Sequence, residues 1–117
     1  MKLFHSELKV MHVLWKEGDM TAKRISDILK EQVGWNRNTT YTLIKRCIGK
    51  GAIERREPNF LCHALIPKEE VQEQELAEMI DRMFDGSVPL LFASLLHHKR
   101  LSKDEIEQLK QIVEELG

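Results

Sequence analysis

Cysteine is scarce in this 117-residue chain, where only Cys47 and Cys62 occur. There is no Cys-x-x-Cys pair and no Cys/His cluster at zinc spacing, so a disulfide framework and a structural zinc site both lack support. Proline and glycine are also few, at three and six residues, against 32% charged and 42% hydrophobic. That balance excludes fibrous and low-complexity classes and favours a soluble, helix-rich chain. Long apolar runs are missing. The longest, Val88 to Leu96, is broken by Pro89 and Ser94 and is far shorter than the roughly 20 residues of a membrane span. No secretory apolar segment follows Met1, so the expected compartment is the cytoplasm and no membrane partner is expected. Paired carboxylates, a Gly-rich phosphate loop and a Cys/His nucleophile arrangement are absent too, which makes an enzyme the weakest class. No catalytic residue and no cofactor is expected. His5, His12, His63, His97 and His98 include no pair at a spacing of four. They read as ordinary surface residues, and no metal site is expected.

A net charge of one sign is lacking as well, since the formal total is −1. The charges are nevertheless segregated. Residues 1–68 hold thirteen Lys/Arg against seven Asp/Glu, a balance of +6, and residues 69–117 hold five against twelve, a balance of −7. A basic front and an acidic back point to two tasks within a length that allows one or two small units.

Apolar periodicity divides the front half into three short helices. Phe4, Leu8, Met11 and Trp15 stripe a first helix over about Ser6 to Lys16, with Val10 and Leu14 flanking and Gly18 as its stop. Thr21 caps a second, whose apolar face is Ala22, Ile25, Ile28 and Leu29, ending near Gly34. Asn36 caps a third, in which Thr40, Leu43, Ile44, Cys47 and Ile48 share one side. The opposite side holds Asn38, Thr42, Lys45, Arg46 and Gly49, with Thr39 at its margin and no carboxylate. After Gly49-Lys50-Gly51 the pattern alternates through Ile53 to Arg56, turns at Pro58-Asn59, and returns over Phe60 to Leu65. Three helices and a hairpin, in that order, make a winged helix-turn-helix over residues 1–67.

A helix face of Asn, Thr, Lys and Arg suits a DNA major groove, because amides and hydroxyls reach base edges while the cations meet guanine or phosphate. Asn38, Thr39, Thr42, Lys45 and Arg46 are therefore the candidate DNA contacts, with a plain solvated face as the bland alternative. On the hairpin, Arg55 and Arg56 are candidates for phosphates or a narrow minor groove, or else solubilising guards of an edge strand. Tyr41 reads as covering the rim of the helix-two interface, with stacking on DNA backbone as its alternative. Trp35 reads as a staple against the core. A winged-helix protein-interaction module without DNA binding is the rival function. It would expose an apolar or aromatic patch where the third helix shows none.

Residues 68–117 read as a three-helix region. The first helix runs over about Lys68 to Phe84. Gly86 and Ser87 punctuate the chain before a second helix that tolerates Pro89 in its first turn. A Ser102-to-Glu105 capping box opens a third. About fifty residues cannot bury three striped helices among themselves with a useful margin, so a partner is required, and a second copy is the simplest. Leu76, Ile80, Met83, Leu91, Leu95, Ile106, Leu109 and Val113 are the expected dimer interface. The fold class is thus mostly α with a small β-hairpin wing, a winged helix-turn-helix followed by a helical dimerisation region.

The stretch Trp35-Asn36-Arg37-Asn38-Thr39-Thr40-Tyr41-Thr42-Leu43-Ile44-Lys45-Arg46, followed by Gly49-Lys50-Gly51-Ala52-Ile53, resembles the recognition helix and wing start of the penicillinase-repressor family (BlaI/MecI/CopY transcriptional regulators). Glu7-Leu8, Val10-Met11 and Leu14-Trp15 are similar to that family's first helix, and Leu101 through Leu109 to its last. The resemblance implies a homodimeric repressor on a palindromic double-stranded operator, controlling antibiotic-resistance or metal-export genes. It also implies an inducer. In β-lactam-responsive members a membrane sensor triggers cleavage of an Asn-Phe bond in the fifth helix, and the matching pair here is Ser94-Leu95. Copper-responsive members carry C-terminal Cys-x-Cys motifs, whereas this chain has no Cys after Cys62.

Overall fold

The computed structural model describes all of residues 1–117, which fall into two units, Met1–Gln72 and Glu73–Gly117. The first unit is built around α1 (His5–Glu17), α2 (Ala22–Val33) and α3 (Arg37–Gly49), with strands β1 (Met20–Thr21), β2 (Ile53–Arg56) and β3 (Leu61–Ala64). Each helix begins and ends for a local reason. Glu7 closes the first turn of α1 by accepting the Phe4 amide at 2.7 Å. Thr21 and Asn36 cap α2 and α3 by accepting the amides of Arg24 and Thr39, at 3.2 and 2.8 Å. The α2 stop requires glycine: Gly34 takes a left-handed φ of 75° while its amide donates back to the Lys30 carbonyl.

The sheet has one strand more than the expected hairpin. All pairs are antiparallel in the order β1-β3-β2, with Met20 opposite Cys62 and Arg55 opposite Cys62 from the other side. Thr21 thus ends a two-residue strand and caps the next helix at once. The core of this unit departs from the expected stripe in α1: Met11 is buried with its flanking Val10 and Leu14, whereas Leu8 and Trp15 are half-buried and Phe4, the N-cap residue outside the helix, is exposed. The expected faces of the other two helices supply Ile25 and Leu29 from α2 and Leu43, Ile44 and Cys47 from α3, closed by Ile53 and Cys62 of the sheet. At roughly 1.5–3 kcal/mol for each large apolar side chain buried, this layer holds α3 rigidly by its inner face and leaves the outer face to solvent. The exit of the unit is pinned where the Trp15 indole N–H donates to the Ile66 carbonyl at 2.9 Å. Val71, in the first turns of α4 (Lys68–Met83), is buried with this core.

The second unit continues along α4 and adds α5 (Val88–His97) and α6 (Lys103–Leu116). Gly86 is left-handed (φ 73°), Ser87 accepts the Leu90 amide at 3.2 Å, and Ser102 and Glu105 cap each other's amides at 3.1 and 2.9 Å. Packing is sparse by contrast. No residue after Val71 is fully buried. No helix of the chain is long and apolar enough to cross a membrane.

Candidate nucleic-acid interface

All five candidate contacts on α3, Asn38, Thr39, Thr42, Lys45 and Arg46, are exposed, whereas Thr40, Leu43, Ile44 and Cys47 face inward. Asn38, Thr39, Thr42 and Arg46 border an open depression of about 420 Å³, completed by Ser6 and Trp35. Lys45 projects from the same helix outside it. Neither Lys45 nor Arg46 has a carboxylate partner, in contrast with most other cations near the sheet and the helix end. The surface is therefore a row of uncommitted donors on a packed helix, beside an open depression.

The inward end of α3 carries an ion pair that the sequence reading did not anticipate. Glu7 is 1% exposed, and its carboxylate accepts from Lys50 Nζ at 2.6 Å. Lys50 also donates to the Lys2 carbonyl at 2.7 Å and lies over the Phe4 ring, 4.1 Å from its centroid. Burial alone pushes the Glu7 carboxyl up. The Lys50 hydrogen bond, the Phe4 amide and the charges of Lys50 and Arg46 outweigh that, and Glu7 stays below the usual carboxylate range. The C-terminal end of α3 is thereby tied to the N-terminal turn of α1. Burial raises the thiols of Cys47 and Cys62 to about 12 and about 11, which makes both inert packing groups.

On the wing, Arg55 and Arg56 are both half-exposed but are held differently. Arg55 Nε donates to Glu57 Oε1 at 2.6 Å, and its guanidinium lies 3.7 Å from the Phe60 ring centroid. The Phe60 amide donates to the other Glu57 oxygen at 3.2 Å, and that hydrogen bond, followed by the one from Arg55, lowers the Glu57 pKa. Arg56 Nη2 donates to Glu54 at 3.2 Å while its Nη1 lies 4.0 Å from Asp19, which in turn meets His63 Nδ1 at 2.8 Å. Tyr41 packs at the edge of the core, where its ring meets Phe60 of the wing turn edge-on and Arg37 lies over its face. Trp35 packs against the core edge as expected. Arg37 and Tyr41 were detectable as an i, i+4 pair, but the approach of Phe60 from the wing turn has no signature in the sequence.

In the second unit, Leu76, Met83 and Val113 are exposed, and Ile80, Leu91, Leu95, Ile106 and Leu109 are half-buried. Phe92 and Leu96, which the sequence reading left out of the interface, are exposed as well. With Leu101, Ile106, Leu109 and Val113 they line an apolar groove of about 360 Å³ between α5 and α6. No three metal-ligating side chains converge anywhere.

The penicillinase-repressor profile matches residues 4–115, nearly the whole chain. This protein belongs to that family. The family is one of DNA-binding transcriptional repressors rather than enzymes. Among curated relatives, the methicillin resistance regulatory protein MecI of Staphylococcus aureus strain N315 is 28% identical over 110 residues, covering 92% of this chain and 89% of its own. The penicillinase repressor of Bacillus licheniformis is 28% identical over 112 residues, covering 94% and 88%. Among solved structures, the DNA-binding domain of the repressor BlaI superposes with a TM-score of 0.55 at 25% identity, covering 59% of this chain and 87% of that one. The family and that domain agree with the winged helix derived above.

Proposed function

We propose that this chain represses transcription as a homodimer on a palindromic operator, with α3 of each copy in a major groove. Asn38, Thr39 and Thr42 would meet base edges, Lys45 and Arg46 guanine or phosphate, and the wing carrying Arg55 and Arg56 would lie over the flanking backbone. The observation that carries this reading is the outer face of α3: exposed, free of carboxylates, and bearing two cations that make no ion-pair contact. The apolar surface of the second unit supports a second copy as the partner, since the residues between Glu73 and Gly117 assemble no buried core of their own. Names of the relatives, which concern methicillin resistance and penicillinase, favour antibiotic-resistance genes over metal export as targets. A sensor protease acting at Ser94-Leu95 of α5, or another inducer, would relieve repression.

The test is fluorescence anisotropy with a labelled duplex from the chain's own upstream region. Affinity should fall linearly on a log–log plot against salt, by about 0.9 per phosphate neutralised. Lys45→Ala and Arg46→Ala should each weaken binding by about 1–3 kcal/mol if they read bases. Binding that is absent, or indifferent to salt, overturns the reading and favours a protein-interaction role.

A further inference from the structure

A row of four side chains joins the wing to the first turn of α3. The Arg55 guanidinium lies 3.7 Å from the Phe60 centroid. Phe60 and Tyr41 meet edge-on, centroids 5.8 Å apart and planes at 85°. Arg37 lies 5.1 Å from the Tyr41 centroid and donates from Nη2 to the Tyr41 hydroxyl at 3.3 Å. Phe60 reaches this position through a left-handed backbone, φ 54°, which follows Asn59 at 70°. Two guanidinium groups thus stand at the ends of an aromatic pair, each braced by a ring.

Bracing matters because a stacked arginine has already lost the side-chain freedom that phosphate binding would otherwise cost, and its planar fork matches two phosphate oxygens. Glu57 takes only the Nε of Arg55, leaving both terminal nitrogens of that fork without a partner. Arg56 is the opposite case: its terminal nitrogens face Glu54 and Asp19. A phosphate approaching Arg56 would have to displace one carboxylate and pass close to another.

We propose that Arg37, Tyr41, Phe60 and Arg55 form a clamp for the DNA sugar-phosphate backbone bordering the groove that α3 enters, with Arg37 and Arg55 as the contacts. Tyr41, Phe60 and Glu57 are positioning residues, and Arg56 is a structural residue of the sheet. The inference rests on the DNA-binding reading above. It adds Arg37 to the interface and removes Arg56.

The experiment measures salt dependence of binding by the full chain to an operator duplex and to a scrambled duplex of equal length. Arg37→Ala and Arg55→Ala should each reduce the steepness of the log–log salt plot by about 0.9 and weaken both duplexes by the same factor, because phosphates carry no sequence. Arg56→Ala should leave the slope at its wild-type value. Glu57→Gln should change affinity by a different factor in the wild-type background than once Arg55 is alanine, a coupling that a merely structural role does not produce, and equal factors would overturn Glu57 as a positioning residue. Thermal melts of each variant exclude unfolding as the cause, with Arg37→Gln and Arg55→Gln as substitutes for any alanine variant that melts early. Unmoved slopes for the Arg37 and Arg55 variants, alongside weakened Lys45 and Arg46 variants, overturn the clamp and leave the DNA reading intact. An Arg56→Ala slope reduced as much as that of Arg55→Ala overturns the assignment of the two wing arginines. Failure of the wild-type chain to bind either duplex overturns both readings.

Discussion

Glu7 is an ionised carboxylate within the side of a hydrophobic core, and the interaction that permits this is a lysine 43 residues away at the end of α3. Because its folded pKa is lowered, its stabilising contribution is complete above the ordinary carboxylate range and disappears as pH falls through the lowered value. Glu7→Gln should therefore lose about 2 kcal/mol near pH 7 in urea denaturation, and the deficit should vanish in acid. That figure is below the ~3–5 kcal/mol typical of breaking a fully buried pair, since Lys50 keeps some contact with water. Lys50→Met should cost more, because it leaves Glu7 buried and unpaired, and that variant should recover relative to wild type as pH falls and Glu7 takes a proton. Equal losses at both pH values would show that the pair contributes only packing. Nothing in the sequence marks this contact. Glu7 enters the sequence reading only through the first-helix resemblance, and Lys50 as part of a glycine-flanked breaker.

Elements were legible where the signal is local. The caps Thr21, Asn36, Ser87 and Ser102 all accept the amide expected of them, and the inner faces of α2 and α3 are the striped ones, whereas α1 turns its flanking Val10 and Leu14 inward with Met11 and leaves Phe4 exposed. Strand β1 was not legible, because two residues, one of them already a helix cap, become a strand only through pairing with β3 some forty positions later. The packing of Phe60, in the wing turn, on Tyr41 of α3 escaped for the same reason: hairpin registers and turn conformations bring together residues that no spacing rule connects. Asn36 offers a way to separate the stability of an element from its use. Its side chain caps α3 and also borders the depression beside the outer face. Asn36→Ala should cost about 1 kcal/mol of stability. Asn36→Asp should keep the cap and gain from the helix dipole, yet weaken DNA binding by placing a negative charge beside the phosphates. A variant that melts at or above the wild-type temperature while binding DNA less tightly is the expected outcome, and unchanged affinity would place the DNA away from this end of α3.

At the scale of the whole molecule, the net charge of −1 is the near-cancellation of +6 before residue 69 and −7 after it. An acidic half would repel phosphate and a basic one attract it, which supports the proposal that DNA meets the first unit. The second unit presents Phe92, Leu96, Val113 and other large apolar side chains to solvent and buries none completely. If two copies cover these surfaces, the melting temperature should rise with protein concentration, and sedimentation at micromolar concentration should show a dimer. Leu96→Glu, on the wall of the apolar groove, should yield monomers that bind a full operator at least ten-fold more weakly, through loss of effective concentration between half-sites. A wild-type chain that sediments as a monomer contradicts this arrangement. The depression beside α3 has a practical consequence of its own. Its rim includes Trp35, whereas Trp15 is fixed by its hydrogen bond to Ile66. Both indoles pack at the edge of the core and report on the fold, but only Trp35 borders the depression, so a duplex docked there as proposed would change its emission without any added dye.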